Sequence, residues 1–281
     1  MSTPPVPLTL EGASVLHQMM RFRRSAWRAL GAARQAEILS EAIALLAAIE
    51  QNELGQSALF SLFGYKGDVL LLHFRHSFEE LHRAELEVAQ LGLAEFFEPA
   101  SSYLSVVELG LYESSARTYA TLAEKGLAPY TPEWNAEVEE VLAMQRKAMH
   151  PRLYPEMPSR RYLCFYPMNR RRGEHNNWYQ APLEERRRMM RDHGLIGRRY
   201  GDDVEQIISG SIGLDDWEWA VDLFANDPVA FKKLIYEMRF DEASALYADF
   251  GPFYLGLRCP AVQIGKLLAG ELPAAASGVA P

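Results

Sequence analysis

Period-two alternation and stretches of period near 3.6 take turns along this chain, and the second half is the easier to parse. Tyr162 to Tyr166 is a short apolar run closed by Pro167, which predicts a strand ending there because proline has no N–H for the ladder. Pro182 to His193 carries Glu184 and Glu185 in its first turn and meets Gly194 just after, the start and stop signals of a helix that ends at His193. Val204 to Ser209 reads as a strand, and Gly210 and Gly213 punctuate a turn. Beyond it, Trp217, Trp219, Val221 and Leu223 alternate with Glu218, Ala220 and Asp222, predicting a strand buried on one face. Asp227-Pro228 supplies an N-cap and a first-turn proline for a helix with Phe231, Leu234, Ile235 and Met238 on one side, running to about Asp249. Gly251-Pro252 breaks it, and Phe253 to Arg258 is the last strand.

The resulting order, strand–helix–strand–strand–helix–strand, is the ferredoxin-like arrangement. The first half repeats it: strands near 15–22, 58–63, 69–74 and 103–109, with helices near 28–51 and 78–91. No residues match between the halves, so the repeat is one of topology. The expectation is an α+β protein in which two ferredoxin-like (βαββαβ) halves, 8–110 and 161–270, form a dimeric α+β barrel. A connection at 111–160 holds a helix near 133–147, and 271–281 is expected to be a disordered tail. The proline-rich first seven residues read as a second loose end.

Composition narrows the function classes. With 48% hydrophobic and 23% charged residues among 281, the chain is ordinary for a globular protein, and no apolar run reaches the length of a membrane span. The start lacks the layout of a secretory signal, which points to the cytoplasm. A net charge of −8 argues against sequence-independent nucleic-acid binding. Cys164 and Cys259 suit reduced core residues, being too few for a disulfide framework or a zinc motif. His73, His76 and His82 read as a surface cluster.

Single residues remain ambiguous at this level. A histidine at a helix end, as expected for His193, caps carbonyls more often than it binds metal. Tyr166 at a strand end suits either a cleft or a hydrogen-bonded rim. Gln206 shares a strand face with Val204 and Ile208, so a neutral amide points where apolar groups point and serves either as a satisfied core amide or as a ligand contact. Arg239 and Glu242 stand three residues apart and are expected to pair on one helix. Convergent arginines from Arg152 to Arg239 suit a polyanionic ligand, or are ordinary surface ion pairs.

A resemblance adds what spacing does not. Cys164-Phe-Tyr-Pro-Met-Asn-Arg-Arg, Asn177-Trp-Tyr, Met189-Met-Arg-Asp-His-Gly, Gln206-Ile-Ile-Ser-Gly-Ser-Ile-Gly-Leu-Asp-Asp-Trp-Glu-Trp and Tyr236-Glu-Met-Arg-Phe-Asp-Glu-Ala-Ser strongly resemble coproheme decarboxylases of the chlorite dismutase-like superfamily. The match is dense over 150–258 and fainter at Tyr103-Leu-Ser-Val-Val-Glu-Leu. The resemblance implies a homopentamer that uses hydrogen peroxide to convert iron coproporphyrin III (coproheme), at once substrate and redox centre, into haem b. It implies Tyr166 as radical carrier, His193 as axial ligand of the porphyrin iron, and Glu242 as hydrogen-bond partner of the other His193 nitrogen. Around the propionates it places Arg152, Tyr166, Pro167, Met168, Asn169, Arg170, Arg198, Arg239 and Ser244. Gln206 falls where chlorite dismutases carry a distal arginine, and Arg170 where most decarboxylases carry lysine. The alternatives are a chlorite dismutase-like or peroxidase activity on ordinary haem, and a non-enzymatic haem-binding protein.

Overall fold

A computed structural model describes residues 6–51 and 55–274 of the chain. The first half runs β1 (Thr9–Phe22), α1 (Arg24–Arg28), α2 (Ala32–Glu50), β2 (Ser57–Leu62), β3 (Val69–Arg75), α3 (Phe78–Ala89) and β4 (Phe97–Gly110). The connection holds α4 (Tyr112–Glu124), α5 (Pro132–Ala148) and α6 (His150–Leu153). The second half runs β5 (Tyr162–Arg170), α7 (Leu183–Arg199), β6 (Val204–Gly210), β7 (Trp219–Ala225), α8 (Pro228–Met238), α9 (Glu242–Tyr247), β8 (Ala248–Phe250), β9 (Tyr254–Arg258) and α10 (Ile264–Ala269).

Each half shows the ferredoxin-like strand order, β4-β1-β3-β2 and β9-β5-β7-β6. Antiparallel seams β4–β6 and β2–β9 join the halves, so eight strands close on themselves and β8 adds to the outside of β5. The fold is α+β, as the element order implies. Closure satisfies both edges of each half-sheet. It also gives every barrel strand an inner face, which is where the reading of β7 as buried on one face fails. Val221 and Leu223 pack outward under α8, while Ala220, Asp222 and Phe224 are buried inside.

The interior is a cluster of Val15, Met19, Phe60, Leu72, Tyr103, Phe165 and Phe224, contributed by both halves. His17 and Asp222 sit within it at zero exposure, their side chains 2.8 Å apart and joined across the barrel. The His17 ring stacks on Phe165 at 4.0 Å. His73 is likewise fully buried, contrary to the surface cluster expected of the three histidines, whereas His76 and His82 are exposed.

Other element boundaries are corrected by tertiary packing. β5 continues through Pro167, because proline's missing N–H falls where the neighbour changes from β9 to β8; its carbonyl accepts from Gly251 N at 2.8 Å. α7 runs six residues beyond His193, past Gly194 and Gly197. Gly197 spaces the helix closely against its neighbours: an added Cβ would lie 3.3 Å from Gln206 Nε2 and 3.4 Å from the Met238 methyl. The single helix expected from Pro228 to about Asp249 is two, broken at 239–241, with Asp241 capping the second. The connection has an unexpected extra helix, α4, whose Tyr119 and Leu122 pack with Trp134, Val138 and Leu183 of α7. Val6 is tied down by Tyr119 OH at its carbonyl, and Pro273 by Arg161. The outermost parts of the two expected loose ends, 1–5 and 275–281, lie outside the described residues.

Candidate functional site

The outer face of β5 carries Tyr166, Met168 and Arg170, because alternate residues of a strand project to the same side. With His193 of α7, Gln206 and Ile208 of β6, Val221 of β7, Ile235 and Met238 of α8, Ser244 of α9 and Phe250 of β8, they line one cavity between the sheet and the helices. It encloses about 50 Å³. Small-molecule sites enclose roughly 300–1,000 Å³.

Tyr166 is buried and stacks on Phe253 at 4.5 Å. Burial pushes its phenol up, with a further push from Cys164, opposed by Arg239 and Arg170. The hydroxyl is therefore neutral at physiological pH.

His193 projects from within α7 and is one-quarter exposed. Its Nδ1 lies 3.0 Å from Asp241 Oδ2. Asp241 Oδ2 also accepts from Ser244 Oγ at 2.9 Å, and Asp241 Oδ1 from Ser244 N at 3.0 Å. Burial pulls the Asp241 carboxyl up, but the hydrogen bonds from His193 and Ser244 leave it below its ordinary value. An Nδ1–H donated to a carboxylate fixes the imidazole tautomer and leaves the Nε2 lone pair free, the arrangement that metal-ligating histidines use. The donor chemistry thus fits an iron centre.

Asp241 takes the place expected of Glu242. Since α8 stops at Met238, Asp241 becomes the N-cap of α9 and turns back toward α7. Glu242 begins the new helix and pairs with Arg188 at 2.7 Å. The expected Arg239–Glu242 pair is absent among the described residues, and Arg239 instead lies over the Phe250 ring at 3.6 Å. The Asp-x-x-Ser spacing of Asp241 and Ser244, a short capping side chain three residues ahead of its partner, is the sequence signal that would have found this anchor.

Of the residues assigned to the site from sequence, Tyr166, Met168, Arg170, His193, Gln206 and Ser244 share the cavity lining. Pro167 and Asn169 project from the opposite face of β5, where Asn169 Oδ1 accepts from Glu218 N at 2.8 Å. Arg152, Arg198 and Arg239 are exposed and outside the lining. The arginine-lined site anticipated from sequence therefore has one arginine, Arg170, among its lining residues. Its guanidinium donates to Ala243 O at 3.1 Å and stacks 4.4 Å over Trp178. Gln206 is exposed at the cavity mouth, rather than a buried amide, and donates to Gly197 O only at 3.5 Å.

A chlorite dismutase family model matches residues 35–259. A curated protein of Natronomonas pharaonis to which haem binding is attributed is 39% identical over 270 residues. The match takes in 94% of this chain and 42% of that longer protein. Among solved structures, a haem-binding protein of Thermus thermophilus is 36% identical, with a TM-score of 0.81 over 96% of this chain and 100% of that one. A mutant chlorite dismutase of Candidatus Nitrospira defluvii, 15% identical, shares the fold with a TM-score of 0.67 over 92% of this chain and 95% of that one. This chain belongs to the chlorite dismutase family.

Proposed function

We propose that this chain binds an iron porphyrin and catalyses the peroxide-dependent decarboxylation of two propionates of coproheme to give haem b. The observation that carries the proposal is the shared cavity: a buried tyrosine and a histidine with a free Nε2 face the same space. Family membership and the haem binding stated for its relatives support the porphyrin, and the neutral Gln206 in place of a distal arginine supports decarboxylation over chlorite breakdown.

His193 Nε2 would hold the iron, with Asp241 keeping the ring oriented. Arg170, preset by Ala243 O and Trp178, would bind a propionate. The porphyrin iron with peroxide supplies the oxidising equivalents. Tyr166 would give up its phenolic hydrogen as an electron and a proton, then recover a hydrogen atom from the propionate side chain. Loss of carbon dioxide leaves a vinyl group, and the two electrons released reduce one peroxide to two waters. Two rounds yield haem b.

A cavity of about 50 Å³ is smaller than a macrocycle, so a bound porphyrin would widen the space between the sheet and the helices α7 and α8 that cover it. At Gly197 the facing groups are the flexible tips of Gln206 and Met238.

The test is to load the chain with iron coproporphyrin III, titrate peroxide and follow porphyrin mass. Stepwise loss of two carboxyl groups is expected. An intact porphyrin together with oxygen release from chlorite would replace the proposal with a dismutase activity, and intact porphyrin without turnover would leave a haem-binding protein. Tyr166→Phe is expected to bind coproheme and stop before the first loss.

A further inference from the structure

The outer face of the first half holds a second cavity, which the reaction proposed above does not use. It lies between the sheet and helices α2 and α3 and encloses about 480 Å³, inside the roughly 300–1,000 Å³ typical of small-molecule sites. Leu46, Leu59, Val69, Leu71, Leu93 and Ile264 form its walls, and each is itself buried by packing from behind. In strand and helix order, β1, β2, β3, α2 and α3 correspond to β5, β6, β7, α7 and α8. The two cavities thus occupy matching places in the two halves.

Behind Gln18, a buried row of polar side chains on the outer face of the sheet has hydrogen bonds that run in one direction. Arg75 Nη2 donates to Ser57 Oγ at 2.9 Å, leaving the Ser57 hydrogen for His73 Nδ1 at 2.8 Å. Burial, with Arg75 and then His17, lowers the His73 pKa to about 3, so its ring is neutral. The single ring hydrogen sits on Nε2 and is donated to Gln18 Oε1 at 3.1 Å. Gln18 Nε2 gives one hydrogen to Glu85 Oε1 at 3.2 Å. A carboxamide nitrogen carries two hydrogens, and Gln18 lines the cavity. Glu85 and Glu95 also line it, with no lysine, arginine or histidine among the described lining residues. The charge is therefore opposite to that of the Arg170 cavity.

We propose that this second cavity binds a medium-chain, uncharged lipid-like molecule with one hydrogen-bond-accepting oxygen, the class of a fatty alcohol, and rejects carboxylates. Gln18 would donate its second amide hydrogen to the oxygen, and the leucines would enclose the chain. Glu85, whose other oxygen pairs with His82 at 2.9 Å, and the exposed Glu95 give the cavity a negative rim that disfavours a carboxylate head group.

The test uses the whole chain without porphyrin and two probes, 1-decanol and decanoate, at neutral pH. Isotope-labelled methyl spectra are expected to show saturable decanol binding at Leu59, Val69 and Leu71, with decanoate weaker by about tenfold or more. Glu85→Gln should narrow that difference. Ala89→Trp, at an exposed lining position, should abolish decanol binding; should it fail to fold, Leu46→Phe fills the opposite wall. Absence of saturable binding, decanoate binding as tight as decanol, unchanged binding in the filled variant, or methyl shifts that follow protein concentration instead of decanol would each overturn the proposal. None of these readouts involves the porphyrin, so the two proposals fail separately.

Discussion

Asp241 and Glu242 are neighbours that differ by a methylene, and the fold gives them unlike jobs. One faces His193 and the other faces Arg188 on the surface. Asp241→Asn should weaken iron-porphyrin affinity or turnover about 10–100-fold, as loss of an orienting carboxylate does at other metal sites, and shift the ferric absorption spectrum. Glu242→Gln should leave the spectrum unchanged, since an exposed ion pair contributes about 0–1 kcal/mol; a spectral change in that variant would reassign the anchor. The depressed Asp241 carboxyl stabilises the fold above the unfolded carboxylate pKa, and that contribution fades as pH falls below it. His73 acts in a higher window. Its folded pKa of about 3 lies beneath the ordinary histidine value, so between those limits only the unfolded chain takes the proton. Each unit of acidification below about pH 6.5 should cost roughly 1.4 kcal/mol from this group. Urea titrations of the native chain and His73→Gln at several pH values would measure it, and parallel curves would refute it.

At the scale of elements, α7 carries His193, the proposed iron ligand, in the half that lines the cavity, while its other end is buttressed. Its first turns pack on the α4–α5 connection through Leu183, and Arg187 pairs with Glu113 at 3.2 Å. Its second half packs on the sheet and α8 through Ile196 and Gly197, with Arg199 and the capping Tyr200 bonded to Glu237 and His193 to Asp241. Since His193 lines the cavity and Leu183 packs instead on α4 and α5, movement on porphyrin binding should centre on the second half and pivot about the N-terminal end. Amide hydrogen exchange is expected to change over 193–199 and over α8 on adding coproheme, with 183–187 unaffected; uniform change along α7 would contradict the pivot. The break at 239–241 belongs to the same scale. It turns Ser244 toward the cavity while Arg239 stays outside, decoupling two positions that one continuous helix would hold about 140° apart.

Across the whole molecule, the closed sheet makes the halves interdependent. β4–β6 and β2–β9 bury the edges that either half would expose alone, and His17–Asp222 spans the interior. Asp222→Ala leaves the buried His17 Nε2 without its hydrogen-bond partner, and an unsatisfied buried polar group costs about 1–3 kcal/mol. Calorimetry should show one unfolding transition in the native chain, lowered as a whole in Asp222→Ala. Two separate transitions would show that the halves fold independently.

Much of this was legible in the chain. The repeated element order, the strands at 162–166 and 204–209, the Asp227-Pro228 helix start and the motif around Tyr166 and His193 all follow from local periodicity, capping and resemblance. These depend on neighbours in sequence, within one turn of helix or one strand. What lay beyond reach depends on neighbours in space. Period two could not reveal that the polar face of β7 points into a closed barrel, nor could glycine signals show that the helix continues through Gly194 and Gly197, the latter at a close approach to Gln206 and Met238. Whether Asp241 or Glu242 holds His193, and which arginines reach the cavity, were likewise decided by where α8 breaks and how strands alternate. Local sequence sets which elements form, whereas burial and hydrogen-bond partners are properties of surfaces that meet only once the sheet has closed.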